Sequence, residues 1–376
     1  MSVYLDYNAS TPINEEVLEA MISVYKRSYG NADSRTHDYG ITAHRLVEIS
    51  REKVSALLNV KKDEVFFTSG ATESDNIAIQ GIVDYAEEKK KKHIVTSAIE
   101  HKAVLEPLKH LSKRGFDITY VNPDESGRIN YEDVIKSIRD DTVMVTIMHA
   151  NNETGVIQPF KELGEYLYNT EILFHIDAAQ TFGKLVNDLK KIKYDIASIS
   201  AHKMCGPQGV GALILKKKHY KNPPIKPILF GGSQERGMRP GTIPTALIVG
   251  FGKMCEITKP NLENYIKTKK DILKLINESG VRYSINGDQD YCMPNTINIC
   301  FDGVNSEAAM LYGKRYCALS NGSACNSNSY KPSHVLTAMG LDIDRVRSSI
   351  RMSWGSDTVG IIENLRSFLE IIKKLQ

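Results

Sequence analysis

The chain has 376 residues, with 48 basic against 45 acidic side chains and a formal charge of +3. That balance gives no electrostatic reason to expect nucleic acid or a membrane surface as the main ligand, and the 41% apolar fraction suits a globular protein with a sizeable core. No run of about 18 apolar residues marks a membrane span, and the opening residues MSVYLDYNAS lack a basic region followed by an apolar one, so no secretory signal is expected. Cysteines stand at 205, 255, 292, 300, 317 and 325 without a C-x-x-C pair, which suits reduced thiols in a cytosol. Cys292 and Cys300 have no His or Cys partner at zinc spacing, so no metal site is expected.

In chain order, strand-like apolar runs are Val65–Thr68, Ile94–Ser97, Ile118–Val121, Val143–His149, Ile172–Ile176, Asp195–Ser200 and Gly211–Leu215. Between them, Asn76–Lys90, Lys102–Lys113 and Phe160–Asn169 read as amphipathic helices, with Lys89 to Lys92 as a solvated helix end. Strands alternating with helices imply a mostly parallel sheet, and runs such as VMVTIM lack polar alternation, as strands covered on both faces do. After about residue 256 the pattern changes to a helix at Leu262–Glu278, short strands at Ser284–Asn286 and Asn295–Phe301, and an amphipathic tail helix at Asp357–Leu375. The expected architecture is α/β: a large domain over 15–255, and a smaller α+β domain made of 1–14 and 256–376. The Ser- and Asn-rich stretch 320–333 reads as a mobile loop.

Three polar sets recur at the ends of predicted strands, where open α/β sheets bind ligands. In YDIASISAHKMCGPQGVGAL, an apolar run ends in Ser200, His202 and Lys203 before a glycine-rich turn. A lysine in a desolvated site has its charged form disfavoured and becomes a nucleophile for carbonyls. In FFTSGATESDN, Thr72 stands as a helix cap, and free N–H groups at Ala71 and Thr72 suit a phosphate; a plain cap is the alternative. In ILFHIDAAQ, Asp177 closes a strand and Gln180 follows; a buried carboxylate needs a cation, such as a protonated pyridine nitrogen, although a helix-capping aspartate looks the same. His101 follows the strand ending at Ser97, and Asn152 follows the strand ending at His149.

The segments YLDYNASTP, TSGATESDN, EHKAV, NNETGVIQP, HIDAAQ, AHK-x-x-GPQGVGAL, ERGMRPGT, SNGSACNS and SSIRMSWG run from residue 4 to residue 355. Together they resemble the cysteine desulfurases of the pyridoxal-phosphate fold-type I superfamily, in the class with a long catalytic loop. The resemblance implies an aspartate-aminotransferase-like fold and conversion of L-cysteine to L-alanine, with the sulfur left as a persulfide. It implies that Lys203 bonds pyridoxal 5'-phosphate, Asp177 pairs its ring nitrogen, Gln180 contacts its ring hydroxyl and His101 stacks on the ring and shuttles a proton. Ala71, Thr72, Ser200 and His202 would hold the phosphate, with Thr242 contributed by the second subunit of a homodimer. Asn152 touches cofactor and substrate, Arg351 takes the substrate carboxylate, and Cys325 is the nucleophile. Cys325 also suits that task physically, since its neighbours Gly322, Ser323, Ala324, Asn326, Ser327 and Asn328 anchor it little.

Ala201 stands where the family usually has Gly, Met204 and Cys205 replace a commoner pair, and GNADSRTH at 30–37 lacks the usual proline. Cys205 lies close enough to Lys203 in sequence to be a second reactive thiol or a packed side chain. The expected sulfur acceptor is a protein: an iron–sulfur scaffold, a tRNA thiolation enzyme or a DNA phosphorothioation component. A selenocysteine lyase and a non-catalytic scaffold of the same fold are the rival readings.

Overall fold

The computed structural model describes residues 2–218, 221–259, 261–322 and 332–376. Its strands are β1 (Val3–Tyr4), β2 (Val65–Thr68), β3 (His93–Ser97), β4 (Asp117–Val121), β5 (Thr142–Met148), β6 (Leu173–Asp177), β7 (Ile196–Ser200), β8 (Gly211–Leu215), β9 (Tyr283–Asn286), β10 (Thr296–Phe301), β11 (Cys317–Ala318) and β12 (Ser349–Ser353). The main sheet runs β2-β8-β7-β6-β5-β3-β4. Only β8 opposes its neighbours; the pairs β7–β6, β6–β5, β5–β3 and β3–β4 are parallel. Strand β5 is buried along its whole length, which explains why its sequence lacks polar alternation.

Register places the chemistry on one edge. Met148 lies opposite Asp177, Asp177 opposite Ser198, and Ser200 opposite Gly211. The carboxyl ends of β2, β3, β5, β6 and β7 therefore open on the same side, together with the amino end of β8. Two glycines bring β8 and the turn after β2 together. A Cβ on Gly211 would sit 2.7 Å from Gly70 Cα, and Gly70 itself has φ +153°, a conformation that L side chains rarely adopt.

Two predicted helices differ from those observed. Asn76–Lys90 is two helices, Ala71–Gln80 and Val83–Lys89. The break falls at Gly81, where a Cβ would stand 2.4 Å from the Lys226 carbonyl, so the crossing chain excludes a continuous side-chain-bearing helix. The tail helix starts at Ile361 rather than Asp357, because Gly360 at its N-cap takes a left-handed φ of 73°.

A separate apolar cluster holds β10, β12, the helix Leu262–Ser279 and the tail helix Ile361–Leu375 together with Val3 and Leu5. The first residues thus pack with the last third of the chain through β1, which pairs in parallel with β11. Val335, Leu336, Met339 and Val346 instead join the core beneath the main sheet. No helix among the described residues is long and apolar enough to cross a membrane.

Candidate active site

A cavity of about 790 Å³ opens at the carboxyl edge of the main sheet and collects residues from distant parts of the chain. Lys203, Asp177, Gln180, Ser200, His202, His101, Ala71, Thr72, Asn152 and Arg351 all line it. Two further residues were expected to act. Thr242 is exposed and outside this cavity within a single chain, and Cys325 lies outside the described residues.

Lys203 ends a short 3-10 turn, Ala201–Lys203, that continues β7. Its Nζ donates to the Asn8 carbonyl at 2.6 Å and the Ala9 carbonyl at 2.7 Å. Burial, then the positive fields of Arg351 and Lys184, bring the ammonium down to about 7, against the negative fields of Asp6 and Asp177 that favour its charged form. His202 beside it is pushed down to about 4, first by burial and then by Lys203 and Lys184. An amine that loses its proton near neutrality is a competent nucleophile for a carbonyl.

Asp177 is 6% exposed at the end of β6. Its Oδ1 accepts from the Ala179 N–H at 2.9 Å, so it does cap the following turn, yet one N–H leaves most of its acceptor capacity unused. Burial raises its pKa above the usual carboxylate range, opposed by that N–H, His101 and Lys203. Gln180 donates through Nε2 to the Asn8 carbonyl at 3.0 Å, while its Oε1 and the Ser200 Oγ are buried without a hydrogen-bond partner among the described residues. Orphaned buried polar atoms are uncommon and cluster where a ligand completes them.

Thr72 is not the helix cap that the sequence suggests. Gly70 occupies the N-cap and brings no side chain to it, so Ala71 and Thr72 form the first turn of Ala71–Gln80. An N-terminus without a side-chain cap, approached closely by the Gly209–Gly211 turn, is an anion seat. His101 is the N-cap of Lys102–Ser112, its Nδ1 accepting from the Ala103 N–H at 3.1 Å, which fixes its ring beside the cavity.

A second wall of the cavity is assembled from three distant segments. Arg351 on β12 pairs with Asp6 at 2.6 Å and donates to the Asn152 carbonyl at 2.8 Å. Asn8 Nδ2 reaches the same Asn152 carbonyl at 3.2 Å. Neighbouring Asn151 is structural: fully buried, it donates to the Ile99 carbonyl and accepts from the Glu153 and Thr154 N–H groups.

Sequence reasoning missed Asp6, Asn8, Asp75, Glu100, Glu153 and Lys184. Glu100 is fully buried, accepts from Ser97 Oγ and the Met148 N–H, and is pushed up to about 8 by burial. Glu153 accepts from Ser333 Oγ at 2.5 Å and lies against Gly322, so it touches both flanks of the 323–331 stretch. The motifs YLDYNASTP, EHKAV and NNETGVIQP contain Asp6 and Asn8, Glu100, and Glu153 respectively, but nothing in them separates these roles from surface polarity. Cys205 has φ 66°, and burial holds its thiol above the usual range.

Residues 3–359 match the family described as Aminotransferase class-V. The chain belongs to this family. It is 41% identical over 388 residues to cysteine desulfurase IscS of Vibrio vulnificus, across 100% of this chain and 94% of that protein. A solved NifS-like protein superposes with a TM-score of 0.89 at 37% identity, covering 100% of this chain and 99% of the other. SspA, solved in complex with cysteine, superposes with a TM-score of 0.83 at 37% identity, covering 95% of this chain and 100% of the other. Within the class-V family, the chain therefore sits among the cysteine desulfurases.

Proposed function

We propose that this chain is a pyridoxal 5'-phosphate-dependent cysteine desulfurase that converts L-cysteine to L-alanine and carries the sulfur as a persulfide on Cys325. One observation carries the reading: an amine that titrates near neutrality and a buried carboxylate stand on adjacent strand ends in one cavity. The orphaned groups suit the cofactor's parts. An N-terminus without a side-chain cap, Ser200 and His202 suit its phosphate, Gln180 its ring hydroxyl, Asp177 its protonated ring nitrogen and His101 the face of its ring.

When bound, the cofactor supplies an electron sink for the α-carbon of an amino acid. The residues of the chain do the rest. Lys203 would hold the cofactor, and its Nζ, neutral near pH 7, would take the α-proton of the substrate. Asp177, as a carboxylate, would pair with a protonated ring nitrogen of the cofactor. Arg351, with Asn152, fixes the substrate carboxylate through a planar fork that a lysine cannot reproduce. His101 moves the proton of the substrate thiol. The Cys325 thiolate attacks the substrate sulfur, a sulfur–sulfur bond forms, the bond from carbon to sulfur breaks, and the electron pair left on the three-carbon fragment is protonated to give alanine.

The proposal includes a homodimer, supported by the exposure of Thr242 outside the single-chain cavity. From there it would serve the partner's phosphate seat. Burial of the Arg51–Glu235 pair, joined at 2.7 Å, ties down the segment that leads to it. The division into 15–255 and 1–14 with 256–376, the cytosolic location and a protein acceptor drawn from iron–sulfur assembly, tRNA thiolation or DNA phosphorothioation belong to the same proposal. The test is a visible spectrum of the purified protein, then L-cysteine with alanine and persulfide quantified. A yellow protein that makes both supports the reading. Cys325→Ser is expected to keep the absorbance and lose the persulfide, and an undiminished persulfide yield in that variant overturns the nucleophile assignment.

A further inference from the structure

The helix Ala71–Gln80 buries Ser74, Asp75, Ile77, Ala78 and Ile79. Asp75 is the anomaly on that face. It is 0% exposed, it lines the cavity, and among the described residues neither of its carboxyl oxygens makes a well-formed hydrogen bond, the Ser198 hydroxyl being the one favourable donor near it. An apolar residue would fit that position at no desolvation cost, so a carboxyl group there calls for a reason.

Its surroundings narrow the reason. The His175 Nε2 lies 3.5 Å from Asp75 Oδ1, which at first sight is an ion pair. His175, however, is itself 0% exposed, and its two ring nitrogens are engaged by hydroxyls, Nδ1 with Thr146 Oγ1 at 2.7 Å and Nε2 with Ser198 Oγ at 3.0 Å. These hydroxyls belong to a polar row that crosses the middle of the sheet, since Thr146 lies opposite Thr96 on one side and His175 on the other. Burial pushes the imidazolium down to about 3, so His175 is a neutral ring that supplies no positive charge to Asp75. The other ionisable groups acting on Asp75 are carboxyls, Asp177 first and then Glu100; only the Ser198 hydroxyl favours ionisation, and burial dominates all of them, so the acid is raised well above its usual range. Two buried carboxyls without a cation between them do not both ionise.

We propose that Asp75 is a positioning residue that keeps its proton, so that the pair Asp75 and Asp177 carries one negative charge and that charge resides on Asp177. Asp177 is the member that accepts a backbone N–H and faces His101 and Lys203, so the charge belongs there. The neutral carboxyl group of Asp75 then gives the Asp177 carboxylate a polar neighbour in place of an apolar one, which lowers the cost of keeping it ionised. This rests on the reading that Asp177 pairs a cationic cofactor nitrogen.

Asp75→Asn and Asp75→Leu separate the possibilities, because asparagine resembles the neutral acid in shape and polarity while leucine does not. Infrared difference spectra of cofactor-free wild type against Asp75→Asn are expected to show the carbonyl stretch of a protonated carboxyl group lost with Asp75; Glu100 is common to both and cancels. Nitrogen NMR is expected to report a neutral His175. With pyridoxal phosphate as probe, Asp75→Asn is expected to keep the wild-type dissociation constant within about twofold and the same pH midpoint of visible absorbance. Asp75→Leu is expected to bind about tenfold more weakly, equivalent to one unit in the pKa of Asp177. No lost carbonyl band, a doubly protonated His175, a tenfold loss in Asp75→Asn, or wild-type behaviour in a folded Asp75→Leu each overturns the proposal. Failure of the wild type to take up pyridoxal phosphate overturns the functional reading instead, and the infrared and NMR measurements still decide the protonation of Asp75.

Discussion

The wall that carries Lys203 and Asp177 and the wall that carries Arg351 line one cavity, but they differ in how many of their polar groups the chain already satisfies. On the first wall, Ser200 Oγ, Gln180 Oε1 and both Asp75 oxygens lack well-formed hydrogen bonds among the described residues, and Lys203, Asp177 and His202 are all displaced from their ordinary titration ranges by burial. On the second, both terminal nitrogens of Arg351 are engaged, one with Asp6 and one with the Asn152 carbonyl, and only its Nε is buried without a partner among the described residues. Groups left incomplete inside a folded chain anticipate a ligand that stays; groups already satisfied anticipate one that comes, displaces a neighbour and leaves. In the function proposed above, the first wall would hold the cofactor and the second the substrate.

The sharpest way to break this contrast is at Lys203. Lys203→Ala is expected to abolish both turnover and the absorbance of covalently held cofactor. In the unsubstituted chain, the rate at which cofactor-free protein takes up pyridoxal phosphate is expected to rise as pH increases through about 7, because the neutral amine is the attacking form and burial has lowered its titration to that range. A rate that climbs only near the ordinary lysine range would remove the argument from desolvation. Next in size, Asp177→Asn is expected to lower kcat by on the order of 10² to 10³, the usual effect of deleting one preorganised electrostatic partner. Loss of cofactor affinity should accompany it, and an unaltered spectrum and kcat would show that the buried carboxylate only caps its turn.

Much of the first wall was legible because it lies on consecutive strand–loop–helix units, where an apolar run followed by a polar group is a local signal. The seven strands of the main sheet emerge near their predicted bounds for that reason, and Asp177, Ser200 and Lys203 come with them. The second wall was less legible, since Arg351 meets Asp6 across almost the whole chain and no local pattern reports such a meeting. Arg351 and Asn152 were reached through the resemblance of SSIRMSWG and NNETGVIQP, whereas Asp6 and Asn8 were passed over in a motif quoted for other reasons. Thr72 was misread because cap preference favours threonine over the preceding glycine, and only the φ of Gly70 reveals the true N-cap. Asp75 gave no signal, because an aspartate near a helix start is ordinary until its burial is known.

On the substrate wall the effects should fall on KM. Arg351→Lys keeps the charge and loses the fork. It is expected to raise KM for L-cysteine about tenfold to a hundredfold, the equivalent of one charge-assisted hydrogen bond, with the cofactor spectrum unchanged. A shifted spectrum would mean that Arg351 supports the cofactor seat and that the two walls are not separable.

The smallest effect is the most discriminating. If Asp6 competes with the substrate carboxylate for Arg351, removing its charge should help binding. Asp6→Asn is then expected to lower KM by up to about fivefold, as suits a partly exposed ion pair worth about 1 kcal/mol. If instead Asp6 holds the guanidinium in place, KM rises. The same substitution also reaches the first wall, because the Asp6 charge favours the protonated form of Lys203 against burial, Arg351 and Lys184. Its loss should therefore move the uptake midpoint of cofactor-free protein to a lower pH. A lower KM together with a lower midpoint identifies Asp6 as the charge that stands between the two seats, restraining the arginine on one side and the amine on the other.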